Sequence, residues 1–368
     1  MAQHKYLHPR LKIALPLWTL ITPVIGLALI LFIPAMHHGA YDLLMGISLI
    51  SVVLSAVHHA EVIAHKVGEP YGTLILALAI TIIEVSLIVT IMLSEGTGGS
   101  TLARDTVFAA IMLILTGIIG ACLLLGGYRH KEQLFVKQGV SASLVALTTI
   151  AILTLVLPNF TTTIPGPFYS TSQLIFVAIV SLVLYLGFVM VQAVRHRGYF
   201  LPKEAPDTDE TTSEPPSMLT TITSLVFLLI SLTVVVVLSK IQSPVIESIV
   251  LRLGAPKSLV GVIIAFVILL PEGLAALRAA HRNQLQTSLN LALGSALASI
   301  GLTIPAVAVV SYFTGFTITL GIDSKSILLL VLSLFTITIS FSGGRTNILQ
   351  GIVLLVILAT YLFTTIVP

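Results

Sequence analysis

Two glutamates of this sequence lie well inside long apolar stretches. Glu84 follows TLILALAITII, and Glu272 follows SLVGVIIAFVILLP. Stretches of this kind cross lipid bilayers, where an ionised carboxylate costs several kcal/mol unless it is paired, hydrated or bound to a cation. Each glutamate is therefore a candidate ligand for an ion. For either one alone, the alternative is a protonated side chain held by hydrogen bonds.

The two glutamates occupy equivalent places in an internal repeat. Both halves of the chain contain a glutamate, six residues, a glycine, 15 or 17 further residues and a second glutamate. The pattern consists of Glu61, Gly68 and Glu84 in the first half and of Glu247, Gly254 and Glu272 in the second. Each half thus places one acid near a helix end, a glycine at the turn and a second acid within the next helix. Chance similarity of short apolar segments is the alternative.

Oxygen atoms near the two acids indicate which ion such a site would accept. Thr81 precedes Glu84 by three residues and therefore shares its helical face. Pro271, next to Glu272, predicts a helix break that frees backbone carbonyls. Carboxylate, hydroxyl and carbonyl oxygens suit Ca²⁺ or Na⁺ and do not suit soft metals.

Three histidines and one cysteine are further candidates for chemistry. His58, His59 and His65 lie near Glu61 and form either a solvated cluster at the membrane surface or a proton relay or pH sensor. Cys122 is the only cysteine, which excludes an intrachain disulfide and multi-cysteine metal sites, and we expect it to contribute packing. The sequence has no P-loop, GxSxG or HExxH motif, so it predicts neither an enzyme nor a cofactor.

The composition is that of a membrane protein. Of the 368 residues, 56% are hydrophobic and 9% are charged, whereas soluble domains carry about 25% charged residues. Runs of roughly 20 apolar residues recur, and each is long enough to span a ~30 Å hydrocarbon core. They predict eleven transmembrane helices near residues 11–36, 43–66, 70–94, 103–127, 140–158, 172–194, 218–242, 258–280, 286–312, 325–342 and 347–366. The expected fold class is an all-α polytopic membrane protein, because barrel strands would show short alternating segments.

Basic residues predict the orientation of these helices. If the N-terminus is cytoplasmic, thirteen of the 18 Lys and Arg residues lie inside and five outside, as the positive-inside bias requires. The five are Arg104, Lys240, Arg252, Lys257 and Lys325. The helices that carry Glu84 and Glu272 then run in opposite directions, so the repeats are inverted, as in many secondary transporters. The net charge of +3 is spread over the loops, so we expect lipid as the partner and no nucleic acid.

A polar segment separates the two halves. The sequence LPKEAPDTDETTSEPPS follows a basic Arg-His-Arg run and is rich in proline and acids. We interpret it as a disordered cytoplasmic linker, with calcium sensing by its carboxylates as the alternative. The predicted organisation is a leading segment with the first helix (1–42), a five-helix repeat (43–194), the linker (195–217) and a second five-helix repeat (218–368).

Long stretches on both sides of the linker resemble the Ca²⁺/cation antiporters. The segment HAEVIAHKVGEPYGTLILALAITIIEVSLI (59–88) is similar to their first alpha-repeat, and PEGLAALRAAHRNQLQTSLNLALGSALASIGLTIP (271–305) to their second. Within this superfamily the chain most resembles the cation/proton exchangers, in particular a bacterial sodium–potassium/calcium–proton branch. VLYLGFVMVQ (183–192) and SGGRTNILQG (342–351) resemble the ends of the two halves. The resemblance therefore covers nearly the whole chain.

The resemblance implies roles for particular residues. It matches Glu84 and Glu272 to the paired acids that alternately bind cation and protons, and Ser295 to the serine of a G-S-x-x-Q pattern near them. With Thr81, Glu61 and Glu247, Ser295 is expected to support the site. Arg345 and Asn347 are also marked, and capping the turn between the last two helices is their simplest role. A bacterial inner membrane is the implied location.

Some positions depart from the wider exchanger pattern. The wider pattern has the triplet G-N-A before the first acid, where this chain has I-T-I at residues 80–82. It also has a histidine, a glutamine and an asparagine where this chain has Gly273, Ala298 and Ile114, respectively. These changes remove side-chain oxygens from the expected site. Monovalent cations therefore join calcium as expected substrates.

The resulting hypothesis is a secondary antiporter that exchanges cytoplasmic Ca²⁺ or Na⁺, and K⁺ as a further candidate, for external protons. Its acids would be deprotonated with cation bound and protonated on the return step. The alternative is a cation channel with the same acids as a selectivity ring, which would conduct without proton counterflow.

The orientation gives a first testable prediction. We expect residue 1 and the linker in the cytoplasm and residue 368 outside, because the basic residues concentrate in the loops assigned to the cytoplasm. A reporter that is active only in the cytoplasm should be active when inserted in the linker and silent when fused after Pro368. Activity after Pro368 would refute the eleven-helix count.

Overall fold

The computed structural model describes residues 15–31, 39–68, 78–79, 81–86, 88–89, 101–201, 216–254, 256, 258–315 and 317–367. Within these ranges the chain is helical except for short connections and two three-residue strands. Most of the predicted acidic linker and the N-terminal end of the first predicted span lie outside the described residues.

The described helices follow the predicted spans, except that most of the third span, 70–94, lies outside the described residues. They are α1 (Leu17–Leu31), α2 (Gly39–Val67), α3 (81–86), α4 (Ala103–His130), α5 (Lys137–Phe160), α6 (Thr171–Arg195), α7 (Met218–Arg252), α8 (Ser258–His281), α9 (Leu285–Thr314), α10 (Ser324–Ser340) and α11 (Ile348–Ile366). Eight helices of the described chain are long and apolar enough to cross a membrane, and α1 and α10 are shorter apolar helices. The prediction of an all-α, multi-pass integral membrane protein is confirmed.

The two glycines of the internal repeat end equivalent helices. Gly68 directly follows α2 and has φ of +78°, and Gly254 follows α7 with φ of +72°. An L-residue with a side chain is strained in this left-handed conformation, which explains glycine at both helix ends. The matching geometry supports the predicted equivalence of the two halves.

Contacts between helices divide the chain into two compact units. Unit 1 comprises Met1–Thr90 with Pro206–Ile249, and unit 2 comprises Ile91–Ala205 with Val250–Pro368. Each unit contains helices from both sequence halves. The division of the chain into 1–42, 43–194, 195–217 and 218–368 stays a prediction.

Unit 1 is built around the packing of α2 against α7 and the residues of α3. Small and branched side chains fill its core, including Val52 and Ala56 of α2, Val235 of α7 and Ile83 of α3. An added Cβ at Gly26 of α1 would lie 2.7 Å from Val234 Cγ1, so only glycine allows this approach of α1 to α7. Small residues bring membrane helices together in this way.

In unit 2, loops from the two halves pair reciprocally. The α4–α5 connection forms strand β1 (Glu132–Leu134), which pairs antiparallel with β2 (Arg345–Asn347) between α10 and α11. On the other side, Phe168 of the α5–α6 connection pairs with Thr319 of the α9–α10 connection. The first predicted repeat contains α2–α6 and the second α7–α11. In each repeat, the loop between the third and fourth helices therefore pairs with the loop between the fourth and fifth helices of the other repeat.

Side chains at the start of α4 and α9 repeat the same exchange. Arg104 Nη1 donates to the carbonyl of Gly321, just before α10, at 2.9 Å. Gln286 Oε1 accepts from the backbone N–H of Val136, just before α5, at 2.6 Å. Such reciprocal contacts are what a two-fold relation between inverted halves produces, and they support the inverted repeat.

Asn347 caps α11. Its Oδ1 accepts from the N–H of Leu349 at 3.0 Å, and its own N–H donates to Gln350 Oε1 at 2.9 Å. Arg345 lies 3.7 Å from Glu132 across the strand pair, with both side chains exposed. The structure therefore agrees with the simplest role of these two residues, a turn between the last two helices.

The cap gives a second prediction. Replacing Asn347 by Ala removes one acceptor from the first turn of α11 and should lower the free energy of unfolding by about 1 kcal/mol. Asn347→Asp retains the acceptor and should remain close to wild type. Thermal unfolding of the purified proteins checks this, and an unchanged Asn347→Ala protein would exclude the capping role.

Candidate functional site

Glu272 is buried in the middle of α8. It is the fifteenth of the 24 residues of Ser258–His281, and only 8% of its surface is exposed. At this depth in a membrane helix a carboxylate needs a proton, a cation or hydrogen-bond donors. The position of this acid in the middle of a helix agrees with the sequence, and its depth in the membrane stays a prediction.

Ser295 of α9 contacts this carboxylate directly. Its hydroxyl donates to Glu272 Oε1 at 3.2 Å. The hydroxyl oxygen of Ser295 can also serve as a ligand to a hard cation. The structure thus brings together two of the predicted site residues within unit 2.

Aliphatic side chains occupy the places where the wider family pattern has polar ones. Ile114 of α4 and Ala298 of α9 are both buried. Gly273 faces α4, where an added Cβ would lie 3.4 Å from Ile118 Cδ1. Ile114 and Ile118 belong to a π-helical turn of α4, Leu113–Ile118, a distortion that is frequent at functional sites.

The predicted helix break at Pro271 is wrong. Residues Ser258–His281 form one continuous helix with Pro271 inside it. The proline still lacks an N–H, so it cannot donate to the carbonyl of Val267 one turn earlier. The helix stays intact because neighbouring helices support it, as is common for prolines in membrane helices.

Glu84 lies in α3, within unit 1. Glu84 and Thr81 are each 4% exposed, whereas Ile82 between them is 43% exposed. The two polar side chains therefore share the protein-facing side of α3, as their spacing predicts. Ile83 of the same helix packs into the core formed by α2 and α7.

The supporting acids differ in their surroundings. The side chain of Glu61 is 51% exposed, and its Oε2 lies 4.0 Å from His58 Nδ1. Glu247 is half-buried within α7. Both lie near helix ends, as predicted, and their roles stay predictions.

The histidines do not form one solvated cluster. His65 is exposed and His58 half-buried, but His59 is fully buried. The interpretation of His59 as a solvated residue is therefore wrong, because α1 and α7 cover it. Cys122 of α4 is buried against Ala276 and Ala280 of α8, which agrees with a packing role.

A family model and curated relatives match this chain. Residues 39–194 and 223–367 match the model described as "Sodium/calcium exchanger protein". A Sinorhizobium fredii protein named y4hA is 44% identical over 357 residues, covering 96% of this chain and 97% of its own length. The sodium-potassium/proton antiporter ChaA of Escherichia coli is 37% identical over 329 residues, 88% of each chain.

Solved structures share the fold. The native structure of YfkE superposes with a TM-score of 0.71 at 18% identity, covering 95% of this chain and all of that one. The H⁺/Ca²⁺ exchanger CAX gives a TM-score of 0.70 at 15% identity, covering 94% of this chain and 87% of that one.

The Ser295 contact gives a third prediction. Ser295→Ala removes a donor and an oxygen ligand beside Glu272 and should weaken cation binding roughly tenfold. Ser333→Ala is the matched control, because this buried serine donates only to Leu329 and Met112. Calorimetric titration of the purified proteins with Ca²⁺ and Na⁺ measures both. Wild-type affinity in Ser295→Ala, or an equal loss in the control, would contradict the assignment.

Proposed function

Because the chain belongs to the sodium/calcium exchanger protein family, we propose that it is a secondary active antiporter that exchanges cytoplasmic cations for external protons. It is a transporter and not an enzyme. Its membership confirms the resemblance inferred from the sequence. One observation carries the proposal: each inverted repeat has a buried glutamate at the equivalent position. This glutamate is Glu84 in the first repeat and Glu272 in the second.

Both acids bind the transported cation and the protons that replace it. Each is buried, with at most 8% of its surface exposed. Each also has a hydroxyl nearby: Thr81 precedes Glu84 by three residues, and Ser295 donates to Glu272. Repeat symmetry supports a joint role, because a feature repeated in two inverted halves can serve alternate openings to the two sides. Glu61 and Glu247 support the site from the helix ends.

The cost of buried charge couples the two fluxes. With cation bound or with protons bound, the carboxylates are compensated. Two ionised, empty carboxylates would be costly to carry through a closed state in a medium of low dielectric constant. Only the forms with cation or protons bound then switch between opening to one side of the membrane and opening to the other. A step that carries cation is therefore followed by a step that carries protons.

Ca²⁺, Na⁺ and K⁺ are the proposed substrates, and no cofactor takes part. The names of the relatives support this range, since ChaA of Escherichia coli is a sodium-potassium/proton antiporter and CAX an H⁺/Ca²⁺ exchanger. The aliphatic residues Ile114 and Ala298 reduce the number of oxygens available to a cation. Fewer oxygens disfavour strict selection of Ca²⁺, which takes six to eight oxygen ligands.

Replacing either acid by Gln gives the fourth prediction. Glu84→Gln and Glu272→Gln keep the side-chain shape but remove the titratable charge, so exchange should fall below detection for every cation. Aspartate at either position should be milder, because it keeps the charge but shortens the reach to the cation. Everted vesicles with a pH-sensitive dye, challenged separately with Ca²⁺, Na⁺ and K⁺, measure the exchange.

Glu132→Gln is the matched control, because Glu132 is an exposed acid in β1 that faces Arg345. It should exchange like wild type. Substitution of Glu61 or Glu247 should change the apparent affinity or the pH dependence more than the maximal rate. Wild-type flux in Glu84→Gln or Glu272→Gln would refute the proposed site. Cation conductance without proton movement in the wild type would favour a channel.

A further inference from the structure

Pro23 leaves one backbone carbonyl of α1 without its helical donor. In a helix the carbonyl of residue 19 accepts from the N–H of residue 23, and proline has none. Thr19 is fully buried, so water does not replace the missing bond. In a membrane such a carbonyl must find a partner on a neighbouring helix.

Two side chains of α2 supply that partner. Ser55 Oγ donates to the Thr19 carbonyl at 2.6 Å, and His59 Nε2 donates to the same oxygen at 3.1 Å. Ser55 and His59 are one turn apart and both fully buried. Because a carbonyl oxygen only accepts, this bond requires a proton on Nε2.

The surrounding side chains hold His59 in this geometry. Its ring centroid lies 5.6 Å from that of Phe227 on α7 and 6.1 Å from that of His58. Trp18, next to Thr19, lies 5.9 Å from His58. His59 is thus enclosed by rings from α2 and α7 and anchored to α1.

A second bond attaches the other end of α1 to the same helix. Tyr41 of α2 donates its hydroxyl to the carbonyl of Leu29 at 2.5 Å. Leu29 lies near the end of the described part of α1, ten residues after Thr19. Side chains of α2 therefore donate to carbonyls of α1 at two points, Thr19 and Leu29.

We propose that His59 is a positioning residue that fastens α1 to α2 through the carbonyl freed by Pro23, so that the two helices move as one body during transport. This role rests on the proposed antiport. It assigns α1, which lies outside both five-helix repeats, to the part of unit 1 that carries Glu61. His59 acts through α1 and binds no ion itself.

The transport test compares variants at this contact. His59→Ala should lower the maximal exchange rate roughly tenfold, the effect of one buried carbonyl losing a donor. The half-saturating cation concentration and the pH profile should not change. His59→Gln can still donate an amide N–H and should recover most of the rate. Ser55→Ala removes the other donor to the same carbonyl. Its control is Ser51→Ala, because Ser51 donates only within its own helix, to Ile47.

A thermal unfolding cycle tests the contact without transport. His59→Ala should lower the melting temperature by roughly 3 °C in the wild type. In a Pro23→Ala background, residue 23 again donates to the Thr19 carbonyl, so the same substitution should have less than half that effect. Additive effects of Pro23→Ala and His59→Ala would overturn the proposal.

The two arms separate the possible failures. Absence of antiport in the wild type would reject the proposed function, while the unfolding cycle would still decide the contact. Wild-type rate in His59→Ala, or a changed pH profile or cation affinity, would reject the positioning role. If His59→Ala does not fold, Ser55→Ala in the two backgrounds replaces it, with the same expectation of non-additivity.

Discussion

Inside a bilayer, every backbone polar group and every charge must find its partner within the protein, because lipid offers none. This constraint accounts for the helical architecture and also for its exceptions. At Pro23 the helix loses a donor, and α2 supplies two side chains to the Thr19 carbonyl. At Glu272 the helix carries an acid, and Ser295 supplies a donor to its carboxylate. Polar residues at these depths therefore mark either an attachment between helices or a site for ions.

Inverted symmetry relates the contacts of one half to those of the other. In unit 2 the reciprocal contacts of Arg104 and Gln286 tie each half to the loop of the other. Two acids at equivalent positions fit the same arrangement, because each half then offers one titratable group to a cation or a proton. The halves are not identical, since Glu61 is more exposed than Glu247.

The sequence predicted the helices well because bilayer thickness fixes the length of an apolar run. Residues 286–312 were expected to span, and α9 covers Leu285–Thr314. The equivalence of Gly68 and Gly254 was also readable, since both end a helix. Contacts between distant residues could not be predicted from the sequence. Arg104 and Gly321 are 217 positions apart, and no local sequence pattern indicates their hydrogen bond. Pro23 in the first span indicates that one carbonyl of this helix needs a donor from elsewhere. That His59 is this donor, and is therefore buried, depends on how the helices pack.

The central claim is that cation and protons compete for Glu84 and Glu272. Proton release on cation binding, measured with purified protein in weakly buffered detergent solution, tests it most directly. The account predicts that Ca²⁺ or Na⁺ displaces protons from the wild type at a pH where the acids are protonated. Glu84→Gln and Glu272→Gln should each release fewer protons, and the double variant none. Release of the same number of protons from the double variant as from the wild type would contradict the account.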